Sequence, residues 1–184
     1  MPWIYVFLEA SKVPKRISVM TRALERNFSS KYAMQVPLHF TIGGVFLHRA
    51  ERFISLFSKE LEGFGPIDVR VIGVRHDGPF IYLKIRQNAS MKKANAALNR
   101  IAKRLNGKVS PHSMPGVYRQ HMTLIASVDC RDCIADIIKA LGSARIDVPM
   151  RFDILKMSKS TTRKAKFGEI VFEKRLALSS YRTK

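Results

Sequence analysis

Two short stretches of this 184-residue chain carry side chains suited to acid–base work: Leu38-His39-Phe40-Thr41-Ile42 and Gln120-His121-Met122-Thr123-Leu124. On a β-strand, residues i and i+2 project to the same side. His39 and Thr41 therefore share one face, with Leu38, Phe40 and Ile42 turned to the other. His121 and Thr123 stand in the same relation to Met122 and Leu124. Each motif sets an imidazole and a hydroxyl on an apolar backing that can be packed and held still. A single His-x-Thr on a strand is commonplace; two copies 82 residues apart, in matching positions of similar halves, point to one site. An imidazole with a pKa of about 6.5 is present in both protonation states near neutral pH, so a pair can supply a base and an acid. Cleavage of a phosphodiester needs both, one to activate the nucleophile and one to protonate the leaving oxygen. Hydroxyls such as those of Thr41 and Thr123 can hold non-bridging oxygens as negative charge builds up. Asp and Glu do not cluster around the motifs, so the expected chemistry uses neither a metal nor another cofactor.

The elements that must position these residues follow from periodicity. Residues 2–9 read as a first strand, and residues 14–29 as a helix with Ile17, Met20, Leu24 and Phe28 on one face. Residues 36–47 form the first motif strand. A helix over 49–62 turns Phe53, Ile54, Phe57 and Leu61 inward and stops at Gly63 and Gly65-Pro66. Strands are expected over 67–75 and 79–86. A helix over 90–105 carries Met91, Ala94, Leu98, Ile101 and Leu105, and Asn106-Gly107 ends it. The second motif strand spans 117–128. Asp129 caps a helix with Ile134, Ile137, Ile138 and Leu141 inward, and strands over 145–157 and 166–178 flank a basic loop, Ser158–Lys166.

Strand, helix, motif strand, helix, strand thus occurs once before residue 76 and again after it. The halves share almost no sequence beyond the motif, so the repetition is architectural. The expectation is one α+β domain over 1–184, in which two pseudo-symmetric lobes (roughly 1–75 and 76–184) of antiparallel sheet with flanking helices surround a central cleft. His39 and His121 would face each other across it.

Lys and Arg number 33 against 14 acidic residues, a net charge of +19. An excess of that size favours a polyanionic partner, of which nucleic acid is the commonest. At 46% hydrophobic the chain can still bury a core, so it is not a disordered basic tail. No apolar run reaches the roughly 20 residues that span a bilayer, and the first residues read as a strand rather than a signal peptide, so an intracellular protein without a membrane partner is expected, cytoplasmic with the nucleus as the alternative. A monomer is expected. Cys130 and Cys133 make a lone Cys-x-x-Cys. With no second pair to complete a zinc site and no thioredoxin-like surroundings, they read as ordinary thiols at a helix start.

Two His-x-Thr-hydrophobic motifs about eighty residues apart, together with the terminal hairpin after Phe152–Ser158, resemble the 2H phosphoesterase superfamily. That superfamily includes the 2′-5′ RNA ligase-like proteins and RNA 2′,3′-cyclic phosphodiesterases. The resemblance implies a bilobal fold, RNA as the partner (single-stranded ends or a tRNA-like molecule), His39 and His121 as the acid/base pair, and Thr41 and Thr123 as phosphate binders. The implied activity opens a 2′,3′-cyclic phosphate to a 2′-phosphate, alongside reverse 2′-5′ joining. Alternatives are a phosphodiesterase on 2′,5′-linked oligonucleotides and a basic RNA-binding protein of the same fold without turnover.

Further substrate contacts are expected from Arg119, sharing the face of His121 and Thr123, and from Tyr118, as a base-stacking ring or a core residue. Arg163 and Lys164, in the basic loop, would guide RNA inward. His48 at a helix start, His76 in a turn and His112 in the loop before the second motif read as surface histidines.

Overall fold

The computed structural model describes residues 1–28, 38–62, 64–77, 80–86, 88–125, 135–137, 139, 146–161 and 168–177. Along the chain these form β1 (Trp3–Glu9), α1 (Lys15–Phe28), β2 (His39–Phe46), α2 (Ala50–Leu61), β3 (Ile67–Asp77), β4 (Phe80–Ile85) and α3 (Ala89–Arg104). They continue with β5 (Lys108–Val109), a 3-10 turn (Pro111–Ser113), β6 (His121–Ile125), β7 (Val148–Phe152), β8 (Ile154–Ser160) and β9 (Glu169–Arg175). The fold is α+β with two antiparallel sheets, consistent with the expected bilobal architecture. One sheet runs β5-β2-β1-β8-β9 and the other β6-β4-β3-β7. Each draws strands from both halves of the chain. Among the described residues no helix is long and apolar enough to cross a membrane.

Both sheets share one core. On β1, Ile4, Val6 and Leu8 enter it, matched on β2 by Phe40 and Val45. On β4 the alternation is strict: Ile81, Leu83 and Ile85 are buried while Phe80 and Lys84 are exposed. Ile17 of α1 is buried and Met20 packs against the core. In α2, Phe53 and Phe57, one turn apart, stack with ring centroids 5.7 Å apart. Helix α3 buries Met91, Ala94, Leu98 and Ile101 as its stripe predicts. Its ends are built by sequence. Asn88 accepts a hydrogen bond from the Met91 N–H at 3.1 Å as N-cap. At the other end Asn106 adopts φ 54° and Gly107 N–H reaches back to the Ala102 carbonyl at 2.8 Å, a Schellman closure.

Four sequence expectations need correction. The strand read over 145–157 is two strands, β7 and β8, which belong to different sheets and break at Asp153. Ser158–Ser160, expected in the basic loop, extend β8. Residues 117–120 are not strand; β6 begins at His121. His76 lies on β3, not in a turn, because that strand runs on to Asp77. β5, only two residues long, has no periodicity to announce it. Residues 135–137 and 139 are helical with Ile137 buried. Asp129, Cys130, Cys133, Ile134, Ile138 and Leu141 lie outside the described residues.

Asp153 explains the break. Its backbone N–H donates to the Glu9 carbonyl at 3.1 Å, and its own carbonyl accepts from Leu176 N–H at 2.7 Å. Its buried carboxylate accepts from Ser11 N–H at 2.8 Å and from Ser11 Oγ at 2.7 Å, and pairs with Arg175 at 3.3 Å. Burial pushes its pKa up, but the two Ser11 bonds and Arg175 together outweigh this and hold it below the ordinary value. A depressed folded-state pKa adds stability above the unfolded value of about 3.9, lost as pH falls through the folded value. Asp153→Asn should therefore lower unfolding free energy at pH 7 by about 1–3 kcal/mol, measured by urea titration. The gap between variant and wild type should narrow below about pH 4.

Candidate active site where the two motif strands meet

The strand of the first motif, β2, lies against the strand of the second, β6, where the two sheets meet. On β2, His39 pairs with Glu9 and Thr41 with Phe7. His39 is 5% exposed, and Phe7 meets its ring edge-on at 5.4 Å. Beside it the buried Glu9 carboxylate pairs with Lys156 at 2.8 Å, and Lys156 also reaches Glu173 at 3.3 Å. The Glu9 hydrogen bond, above all, raises the Lys156 pKa. The ladder then skips Ile42, since Phe7 pairs with Thr41 but Val6 with Gly43. This bulge reorients the strand just past the motif. The two glycines after it admit close neighbours. A Cβ on Gly44 would lie 2.8 Å from the Tyr5 ring, and one on Gly43 would lie 3.0 Å from Ser113 Oγ.

On β6, His121 pairs with Lys84 and Thr123 with Tyr82. The His121 ring is half-buried and meets Tyr82 edge-on at 4.5 Å. Its Nδ1 lies 2.8 Å from the Arg119 carbonyl oxygen. A carbonyl can only accept, so Nδ1 carries the hydrogen and Nε2 is the atom placed to exchange a proton. Met122 and Leu124 are buried on the opposite side, as the alternation requires.

Helix α3 ties the motifs together. At its start, Asn88 N–H donates to Gln120 Oε1 at 2.7 Å and Gln120 Nε2 donates to the Asn88 carbonyl at 3.0 Å, which clamps the residue preceding His121. Seven residues on, buried Asn95 donates through Nδ2 to the carbonyls of Ile42 and Ser113, both at 2.9 Å. The carbonyl of the bulge residue is thus satisfied by a side chain. Tyr118 adds a direct link. Its hydroxyl donates to the Thr41 carbonyl at 3.2 Å, its ring meets Phe40 edge-on at 6.3 Å, and burial pushes its pKa up. This placement suits a strut between the motifs better than a platform for a base.

Arg119 is exposed and precedes β6, and its carbonyl oxygen lies 2.8 Å from His121 Nδ1. Arg163, Lys164 and Lys166 lie outside the described residues. His48, His76 and His112 are exposed. Sequence reasoning missed Lys84 and Tyr82, although the alternation of residues 80–85 already turns them away from the core. Arg75 on β3 lies with its guanidinium 5.4 Å from the centroid of the Tyr82 ring. Burial chiefly, then the charge of Asp77, raises the Tyr82 pKa against the opposing effect of Arg75. Among the described residues no group of three or more His, Cys, Asp or Glu side chains could hold a metal ion.

Two antiparallel sheets meeting along one strand of each, with a His-x-Thr on both strands, describe a two-histidine phosphoesterase type of fold. The sequence profile of the 2′-5′ RNA ligase superfamily matches residues 13–163, and the chain belongs to that superfamily, the 2H phosphoesterases. An activity of the phosphoesterase or ligase type goes with that membership. Among solved structures, one described as a phosphoesterase aligns with a TM-score of 0.61 at 11% identity, over 97% of this chain and 100% of that one. E. coli LigT complexed with 3′-AMP aligns at 0.58 and 13% identity, over 97% and 100%. Kluyveromyces marxianus Usb1 aligns at 0.54 and 14% identity, over 96% and 98%. At such identities the likeness is one of fold. Among curated proteins, none matches the chain.

The struts have measurable weights. Tyr118→Phe should cost about 1 kcal/mol of unfolding free energy, the usual worth of one hydrogen bond. Asn95→Leu, which takes the side-chain donor from the Ile42 carbonyl while Asn99 still donates to the Ser113 carbonyl at 2.9 Å, should cost more, about 2–3 kcal/mol. Urea titration of both variants checks the ranking.

Proposed function

We propose that this protein is an RNA phosphoesterase that opens 2′,3′-cyclic phosphate ends to 2′-phosphates, with His39, Thr41, His121 and Thr123 as the working residues. The observation that carries the reading is the contact between β2 and β6, the two motif strands, in a chain of the 2H family. In this mechanism one histidine takes a proton from water as the water oxygen attacks phosphorus. The P–O3′ bond breaks, and the other histidine delivers a proton to the departing 3′ oxygen. Nε2 of His121 is the atom on that ring suited to the transfer. The hydroxyls of Thr41 and Thr123 donate to the non-bridging oxygens as charge accumulates. An RNA 5′-hydroxyl in place of water gives a 2′-5′ joint by the same attack.

Several features support RNA as the substrate. The charge of +19 suits a polyanion. Exposed Lys84 stands beside His121 in register. Two structures of this fold were determined as nucleotide complexes, E. coli LigT with 3′-AMP and Kluyveromyces marxianus Usb1 with uridine monophosphate.

The test is an RNA oligonucleotide ending in a 2′,3′-cyclic phosphate, incubated with the protein in EDTA, with the product end mapped. A 2′-phosphate is expected. His39→Ala and His121→Ala should each lower the rate by on the order of a hundredfold or more while RNA binding stays near normal. The pH–rate profile should be bell-shaped and belong to the pair. A 3′-phosphate product, or a requirement for added metal, would overturn this mechanism.

A further inference from the structure

The face of the four-stranded sheet that bears His121 and Thr123 continues beyond them. In register, Lys84 stands beside His121, Tyr82 beside Thr123 and Arg75 beside Tyr82; one step along, Phe80 pairs with Asp77. Phe80 is 38% exposed, although its neighbours Ile81 and Leu83 are fully buried. The Phe80 and Tyr82 rings are near-parallel, 16° apart in plane with centroids 6.2 Å apart. The guanidinium of Arg75 lies over Tyr82, and its Nε is buried without a hydrogen-bond partner among the described residues.

A pair of near-parallel aromatic rings on a partly exposed sheet face, edged by cations, is an arrangement that takes unpaired bases: the rings stack and the cations meet phosphate. We propose that Phe80 and Tyr82 form a stacking platform for the last bases of a single-stranded RNA, with Arg75 and Lys84 taking the oxygens beside them. The position of its terminal phosphate, between His39 and His121, rests on the function proposed above; the platform itself does not require turnover. A protein partner fits less well, because the rings are flanked by Arg75 and Lys84 on a chain of charge +19. The platform makes the enzyme selective for ends whose bases are unpaired, since a base in a duplex cannot lie flat on the sheet.

The experiment uses a short RNA ending in a 2′-phosphate, which cannot turn over, with 2-aminopurine as its last or next-to-last base. Wild type should quench the fluorescence on binding. Phe80→Ala should bind on the order of tenfold more weakly and lose quenching, Tyr82→Ala should do the same, and Phe80→Trp should restore both. Phe80 is surface-exposed, so its variants test the idea even if Tyr82→Ala misfolds. RNA lacking its last two bases should bind wild type and Phe80→Ala equally. Equal affinity and quenching for wild type and Phe80→Ala on intact RNA would sink the platform, as would an equal loss on abasic RNA. Base-dependent quenching without cyclic phosphate opening supports the platform and removes the hydrolytic reading instead.

Discussion

One helix is hydrogen-bonded to the neighbours of both motifs. Asn88 at the N-terminus of α3 holds Gln120, next to His121, and Asn95 holds the carbonyl of Ile42, next to Thr41. Seven residues of α-helix advance about 10 Å, a length that varies little because it is fixed by the backbone ladder. Catalysis by two groups at one phosphorus tolerates small errors in placement poorly. A helix clamped at two points is a stiffer spacer than a loop between sheets. The Tyr118 hydroxyl on the Thr41 carbonyl adds a third tie at the point where the sheets meet.

The two motifs are chemically alike but sit in different surroundings. His39 is closed in by Phe7 and lies in register with Glu9, whose charge is matched by Lys156. His121 is half-open, beside exposed Lys84 and the ring of Tyr82. For the RNA substrate proposed above, the open side is the one that leaves room for a chain. Under the proposed hydrolysis, the dry side would take the phosphate and the attacking water, and the wet side the chain that leads away from them. The cations and rings of β3 and β4 are on the wet side.

Much of this could be read from residue order. The motif strands, the helix stripes and the Asn106-Gly107 stop are local patterns, and local patterns survive into the fold. What the sequence hid depends on tertiary partners. Asn95, flanked by Ala94 and Ala96, looks like an ordinary polar helix position until the Ile42 bulge brings an unpaired carbonyl to it. The run 145–157 is apolar enough for one strand; only the Asp153 carboxylate, pinned by Ser11 and Arg175 from distant segments, divides it. Arg119 was expected on the face of His121 because strand alternation was carried back too far. The chain before His121 is instead held by Gln120 and Tyr118, so the alternation starts later.

The sharing of strands has a mechanical consequence. β3 leaves the first half of the sequence for the four-stranded sheet, and β8 and β9 return from the second half to the five-stranded one. Neither sheet is a contiguous piece of chain, and the apolar side chains of both form one cluster. Hinge motion between domains needs a boundary crossed by few contacts. Here the β7–β8 junction, α3 and Tyr118 all cross it. The proposed chemistry would then rest on a preformed arrangement of imidazoles and hydroxyls, which is how fixed dipoles stabilise developing charge without reorganising.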